Sequence, residues 1–482
     1  MKKGFFILFT ILFVKINAEI RSVWVLPWDI TTEESIDEVI ATAVSCNQNE
    51  LLVEVRYRAD ALFDTSKGAY LYPNPEPKSY ILEDASFDPL AYILKKAHQK
   101  GLAVQAWVVV FNATPREQSY IQQNYIYNNH KDWITYNFNG SQMNIDRQSG
   151  YFIDPGIPEV QEYLLNILGN LAGGYPELDG IHLDYIRYPE SDLGFHPVSL
   201  ARYNEYCQNQ EEITYNEWRI MQVTNFVENA YFQLKEINPA LQLTAAVFPD
   251  IAEANVDYAQ DWQSWLKKGI IDRVYPMAYD VQYAKFKKQL EQIKLLQMKE
   301  KIVIGLRAWN GNGNSLAVGN GNSYNVKEIA KKITLTRDLG FAGVSLFSYS
   351  GLQKGNAFVQ LARLSFPEKK EYPKENISPK LNEITFSEPK YPAEAKLTRL
   401  NSEIIMHLKI PKDGFWNWEL YKDTLLVSNQ RFYQKGENRE ILNIINPQIS
   451  ANLEPGHYIV HLYQEKSSFQ YLIPVELVTP NE

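Results

Sequence analysis

The run Leu178-Asp179-Gly180-Ile181-His182-Leu183-Asp184-Tyr185-Ile186-Arg187-Tyr188-Pro189 joins a short apolar stretch to a carboxylate, an arginine and a tyrosine, then stops at a proline. A strand whose polar groups gather at its C-terminal end is how a parallel α/β barrel presents a catalytic carboxylate. Asp184 is therefore where chemistry is expected; the competing reading is an ion pair with Arg187 or Arg56. Strict alternation along strands puts Glu54 and Arg56 on one face, and likewise Gln105 and Trp107, and His182 and Asp184. Other apolar runs end in Phe248-Pro249-Asp250, Tyr279-Asp280, Arg307-Ala308-Trp309 and Phe347-Ser348-Tyr349. Carboxylates, arginines and a ring of Trp and Tyr together make a sugar site: carboxyl groups act as acid, base or nucleophile, and aromatics cover pyranose faces. Hydrolysis of a glycosidic bond needs two carboxyl groups. Asp184 is the first, as general acid or nucleophile. Asp280 and Glu54 lead for the second, with Asp250 and Asp29 behind. Arg56, Asp60, Trp107, His182, Arg187, Tyr279, Trp309 and Tyr349 are the candidate substrate-binding residues. His182, one step deeper than Asp184, is suited to orienting a neighbour. The alternative for Arg56, Asp60 and Arg187 is an internal ion pair, and for Trp107 and Trp309 it is packing.

Eight strands are expected to carry these groups. Arg21–Pro27, Leu51–Tyr57, Leu102–Phe111, the opening run Leu178–Pro189, Leu241–Pro249, Asp272–Tyr279, Ile302–Trp309 and Gly343–Tyr349 carry short apolar stretches, and helical patterns alternate with them. Eight strand–helix units between residues 20 and 365 predict a (β/α)8 TIM barrel, with residues 19–366 as its domain. No Gly-rich dinucleotide turn is present, which disfavours an open doubly wound sheet. The long excursions all follow strand C-terminal ends, where a barrel builds one site. Residues 367–379 are charged and Pro-rich and read as a linker. Alternating runs then predict a small all-β sandwich, of fibronectin-III or Ig type, over residues 380–482. Trp416 and Trp418 fall on one face there, as sandwich core or as an accessory glycan-binding surface.

Residues 1–18 read as a cleaved secretory signal: Lys2 and Lys3, then an apolar Phe5–Val14 too short to span a bilayer, then Ala18 before the cut. No cysteine follows, so a lipid anchor is not indicated, and a secreted or periplasmic location is expected. No later segment reads as transmembrane. The net charge of −9 without a basic block argues against nucleic acid as partner. Two cysteines make no disulfide framework, and neither they nor the seven histidines have metal-ligand spacing. No metal or organic cofactor is expected; the expected partner is a polysaccharide or oligosaccharide substrate.

The chain resembles the glycosyl-hydrolase-like family 10, bacterial secreted TIM-barrel proteins. The resemblance rests on Arg21-Ser-Val-Trp24, Val55-Arg56-Tyr57-Arg58-Ala59-Asp60, Gln105-Ala-Trp107, Asp154-Pro-Gly-Ile-Pro-Glu-Val160 and Asp179-Gly-Ile-His-Leu-Asp184-Tyr-Ile-Arg-Tyr-Pro189, which occur in the family's order. It implies a catalytic role for Asp184 and cleavage of glycan strands, including peptidoglycan stripped of its stem peptides. Family members often carry His at the position of Gln105, Gln at that of Met277 and an uncharged polar residue at that of Glu54. A secreted glycoside hydrolase acting on a bacterial glycan is the expectation; a non-catalytic glycan-binding protein on the same barrel is the rival.

Overall fold

The computed structural model describes residues 19–373, apart from 70, 71, 147, 210, 211 and 320–322, together with the strands between residues 394 and 477. The expected leader, residues 1–18, and the later part of the expected linker, residues 374–379, lie outside the described residues.

The eight expected strands form, each shorter by a residue or more than its expected run except the second, which keeps its length but starts one residue earlier. They are β1 (Ile20–Val25), β2 (Glu50–Arg56), β3 (Ala103–Val109), β4 (Gly180–Asp184), β5 (Gln242–Val247), β6 (Arg273–Pro276), β7 (Val303–Arg307) and β8 (Gly343–Phe347). All pair in parallel, in the order β6-β5-β4-β3-β2-β1-β8-β7. Parallel bridges Val274–Ile302 and Met277–Gly305 bring β6 beside β7 and nearly close the barrel. Helices between the strands begin where local chemistry favours them. Thr32 and Ser35 form a capping box before Glu33–Ser45, Thr214 and Glu217 another before Tyr215–Ile237, and Asp88 caps Pro89–His98. Among the described residues no helix is long and apolar enough to cross a membrane.

The two-residue period of the strands separates two layers. Val23, Val25, Leu51, Val53, Val104, Ala106, Ile181, Leu183, Leu243 and Ala245 point outward into the packing with the helices. Their neighbours point inward, where Trp24, Leu52, Trp107, Tyr275 and Val303 cluster. The interior is also polar. Trp24 Nε1 donates to His182 Nε2 at 3.2 Å. Burial pushes the His182 imidazole down to about 3, so it is neutral and its proton sits on Nδ1. That proton goes to Thr244 Oγ1 at 2.8 Å, and the Thr244 hydroxyl donates to Gln105 Oε1 at 2.6 Å. The Gln105 amide donates to Glu50 Oε1 at 2.6 Å, and the Tyr275 hydroxyl donates to Glu50 Oε2 at 2.8 Å. Every group in this relay is buried and partnered, as a low-dielectric interior requires.

Residues 366–372 cross the N-terminal end of the barrel. Arg21 donates to the Glu368 carbonyl at 2.5 Å, and Asn47 to that of Phe366 at 2.8 Å. The Tyr372 hydroxyl accepts from Arg273 at 2.9 Å and donates to Gln242 Oε1 at 3.1 Å. The first residues of the expected linker therefore belong to the base of the barrel. Further on lie β9 (Glu394–Leu400), β10 (Glu403–Ile410), β11 (Gly414–Lys422), β12 (Leu425–Gln434), β13 (Arg439–Ile445), β14 (Gly456–Gln464) and β15 (Gln470–Leu477). They pair antiparallel as β13-β10-β9 and β12-β11-β14-β15. Trp418, Leu420, Tyr458 and Leu462 are buried there.

Candidate active site

Asp184 ends β4 at the C-terminal mouth of the barrel, half-buried. Trp107 Nε1 donates to its Oδ2 at 3.1 Å, and the Tyr185 N–H to its Oδ1 at 2.7 Å. Tyr185 adopts φ 50°, a left-handed conformation unusual for a bulky residue. The backbone around it is fixed by bonds from Val110 N to the Asp184 carbonyl (2.8 Å) and from Phe111 N to the Tyr185 carbonyl (3.3 Å). A strained residue held this firmly, directly after a carboxylate, is a feature of working sites. Burial raises the Asp184 carboxyl above its ordinary value. The Tyr185 N–H, the Arg187 and Arg58 charges and the Trp107 donor oppose that rise.

Glu54 lies on β2 opposite Trp107 of β3, which in turn lies opposite His182 of β4. It is 3% exposed, and among the described residues its carboxyl has no hydrogen-bond partner. Burial pushes this carboxyl well above the ordinary glutamate range; Arg58 pulls the other way, while Asp184 and Asp60 push it further up. Two carboxyl groups that act on each other in a common low-dielectric mouth favour having one proton between them.

The arginine that serves this pair is Arg58, which sequence reasoning missed. Its guanidinium lies 4.3 Å from the Tyr57 ring centre and 5.4 Å from that of Tyr185. Among the described residues its buried Nε has no partner. Arg56, chosen in its place, is fully buried away from the mouth. It makes an ion pair with Glu76 (2.6 Å) and donates to the Val109 and Val110 carbonyls. The β2–β3 register shifts between Glu54 and Arg56, so alternation does not carry across that step. A bulge leaves no mark in composition; the only available signal was a second arginine two residues on.

Other expected residues divide. Tyr279 stacks on Phe347 (5.5 Å between ring centres), and the charge of Asp184 helps to raise its phenol, so it lines the mouth beside that carboxylate. The guanidinium of Arg187 sits within an aromatic cage of Tyr185, Phe248, Tyr258 and Phe152, at 5.0, 4.9, 5.0 and 5.7 Å, and donates only to the Tyr188 and Pro189 carbonyls. Trp309 is half-buried with Arg307 packed 3.7 Å over its ring. Trp107 is 4% exposed and orients Asp184 rather than offering a face to sugar.

Four expectations need correction besides Arg56. His182 is fully buried beneath the mouth with both ring nitrogens engaged. Asp60 is buried and held by the Ser79 hydroxyl (2.6 Å) and the Arg58 N–H (3.2 Å), where it shapes the loop after β2. Tyr349 opens a short helix and packs into the outer apolar layer. The Asp280 carboxylate accepts from Gln282 N at 2.8 Å and faces Lys285 at 4.0 Å. The charges acting most on Asp184 and Glu54 do not include Asp280. Of the reserve candidates, Asp250 caps the helix Ile251–Tyr258, and Asp29 is bonded to Ser350 and Leu26.

Comparison with known proteins bears on this geometry. The glycoside hydrolase domain of PgaB (BpsB) from Bordetella bronchiseptica superposes with TM-score 0.54 at 14% identity, over 72% of this chain and 99% of that one, a likeness of fold. Glycosyl hydrolase YngK of Bacillus subtilis is 21% identical over 296 residues, 55% of this chain and 54% of its own. Glycosyl hydrolase DigH of Escherichia coli is 28% identical over 228 residues, 41% of this chain and 48% of its own. The chain thus spans about half the length of these curated relatives. Residues 19–320, the barrel nearly to its last strand, match the family described as glycosyl hydrolase-like 10, and the chain belongs to that family.

Proposed function

We propose that this protein is a secreted glycoside hydrolase that cleaves a bacterial polysaccharide, with peptidoglycan glycan strands as the first candidate, and that Glu54 and Asp184 are its two working carboxyls. The observation that carries this reading is the contrast between two carboxyl groups that act on each other. Glu54 is buried and unpartnered, which favours its protonated form. Burial raises Asp184 too, but two N–H donors and the charge of two arginines oppose that rise, so Asp184 ionises before Glu54. Environments that raise one carboxyl well beyond its neighbour assign the acid and the base.

Glu54 gives its proton to the glycosidic oxygen as the bond to the anomeric carbon breaks. Ionised Asp184 stabilises the positive charge that develops on the sugar, as nucleophile or through an activated water. Water supplies the hydroxyl that ends on the anomeric carbon, and its remaining proton restores the acid. The charge of Arg58 acts on both and limits how far either carboxyl rises. Tyr279, Trp309 and the aromatic cage around Arg187 supply the walls against which sugar rings rest. Secretion through the leader at residues 1–18, a barrel domain that continues through Tyr372, and an accessory β-sandwich at the C-terminus form part of the same proposal.

The test is reducing-end release from peptide-free peptidoglycan strands and a panel of other polysaccharides, with wild type, Asp184→Asn and Glu54→Gln. Cleavage by wild type and its loss in both variants is expected. Cleavage that survives Asp184→Asn overturns the assignment, and binding without cleavage by wild type replaces the enzyme with a glycan-binding protein.

A further inference from the structure

Three large aromatic side chains stand on neighbouring loops at the barrel mouth, and the chemistry described above leaves them unused. Trp28 is 54% exposed on the short turn Pro27–Ile30 after β1. Tyr80 is 44% exposed on the loop after β2, and Tyr120 is 41% exposed on the short helix Gln118–Ile121 after β3. Because β1, β2 and β3 are adjacent in the barrel, these loops share one side of the mouth. Tyr80 and Tyr120 stack, with ring centres 4.5 Å apart and planes 17° apart. Trp28 meets Tyr57 edge to face at 5.2 Å. Tyr57 joins the two groups: its charge acts on Tyr80, and its ring carries the Arg58 guanidinium, whose charge reaches Glu54 and Asp184.

Single exposed apolar residues need no explanation, but a cluster continuous with a catalytic mouth does. Packing such rings into the core would each bring about 1.5–3 kcal/mol, so leaving them out is costly unless something covers them. In the Tyr80–Tyr120 stack one ring face is taken by the partner and the outer face stays open. A flat apolar face with a hydroxyl at its rim suits a pyranose, whose axial C–H bonds form an apolar face and whose hydroxyls stay wet.

We propose that Trp28 and the stacked Tyr80–Tyr120 pair form a distal sugar-binding surface, continuous with the carboxyl pair through Tyr57, which holds further residues of a polymeric glycan and makes the enzyme act within chains. This rests on the glycosidase reading above, and it adds that the substrate is long and that one side of the mouth grips it away from the scissile bond. Further along the rim, after the adjacent strands β4 and β5, the aromatic cage of Arg187 continues the row of aromatic side chains past Asp184.

The experiment compares Trp28→Ala and the double variant Tyr80→Ala/Tyr120→Ala with wild type on peptide-free peptidoglycan strands and on the tetrasaccharide cut from them. All three side chains are exposed, so both variants should melt with wild type. With long strands kcat/KM is expected to fall about tenfold or more, the equivalent of one good stacking contact, and with the tetrasaccharide by less than about twofold on the same scale. Equal losses on both substrates, or no loss on either, overturn the inference. Retardation of the proteins in native gels containing the strands reads the surface without any cleavage. Wild type that is retarded but cuts nothing sinks the glycosidase reading and leaves the surface standing. Wild type that cuts the strands, with unchanged retardation and kinetics in both variants, does the reverse.

Discussion

Two glutamates four residues apart on β2 point into the same barrel and meet opposite fates. Glu50, near the base, accepts from the Gln105 amide at 2.6 Å and the Tyr275 hydroxyl at 2.8 Å, and its neighbours are linked onward to Thr244, His182 and Trp24. Glu54, near the mouth, has no hydrogen-bond partner among the described residues, and Arg58 and Asp184 act on it only through their charge. The base spends its ionisable groups on partners, although the Ser22 and Ser345 hydroxyls are buried without one among the described residues, and it is closed from below by Tyr372. The mouth leaves a buried carboxyl, a buried guanidinium nitrogen and an aromatic wall unspent. Residue type alone therefore does not mark a catalytic group; what marks it is an ionisable group buried in a mouth without the partners that burial demands.

The largest expected effect breaks the mouth alone. Asp184→Asn keeps one of the two acceptor oxygens and removes the charge, so kcat/KM on a cleaved glycan should fall by about 10²–10⁴ with a loss of stability of no more than about 1 kcal/mol. A larger loss of stability would make Asp184 a structural residue like Glu50. The converse experiment breaks the base. Glu50→Ala strips the acceptor from both Gln105 and Tyr275 and should cost about 2–4 kcal/mol in urea unfolding. Kinetics should stay near wild type in the fraction that folds.

Glu54→Gln sharpens the comparison because its two readouts have opposite signs. Activity should drop about a hundredfold, the order of one general acid. Stability at neutral pH should rise by about 1–2 kcal/mol, since a buried carboxylate without partners opposes folding. The sign with pH follows from the raised folded-state value of Glu54. Between the ordinary glutamate value and that raised value the native protein holds the extra proton. Wild-type stability therefore falls as pH rises through this window, and the stability given by the protonated form is fully present only below it. Glu54→Gln should flatten that decline. Equal stability of the two proteins from pH 4 to 8 would show that Glu54 is partnered in solution after all.

The barrel was legible because its signal is repetitive. Eight apolar runs alternating with helical periods tolerate errors of a few residues at each end, and the run Leu178–Pro189 contains β4, which is confined to its Gly180–Asp184 part. The site was legible only as far as strict alternation holds. Asp184 ends β4 and is at the mouth, and Tyr279, past the end of β6, lines it as well. Arg56 follows a register shift and is not at the mouth, which hid Arg58. Tyr349 lies past the end of β8, where a helical turn and not the pleat sets direction. His182 lies on the expected face, one step below Asp184, but both its ring nitrogens are taken by Trp24 and Thr244, so it holds the interior and does not reach substrate. Asp60 and Asp280 look alike in sequence to any loop carboxylate, and only their partners, Ser79 and the Gln282 N–H, reveal what they do.

The smallest expected effect tests how far the base extends. Residues from Pro367 read as a linker because they are charged and Pro-rich, yet Tyr372 packs beneath the inner cluster of Trp24, Trp107 and Tyr275 and bonds Gln242 and Arg273 at the start of β5 and β6. If the base is a closed polar network, its last member should matter to stability and to nothing else. Tyr372→Phe keeps the ring and removes one hydroxyl that both donates and accepts. That should lower stability by about 1 kcal/mol, the net worth of an ordinary buried hydrogen bond. The glycan kinetics and the pH profile should remain those of wild type, because the hydroxyl sits at the end of the barrel opposite Asp184. A change in kcat with unchanged stability would mean that base and mouth communicate through the Gln105–Thr244–His182 relay, and the division between them would no longer hold.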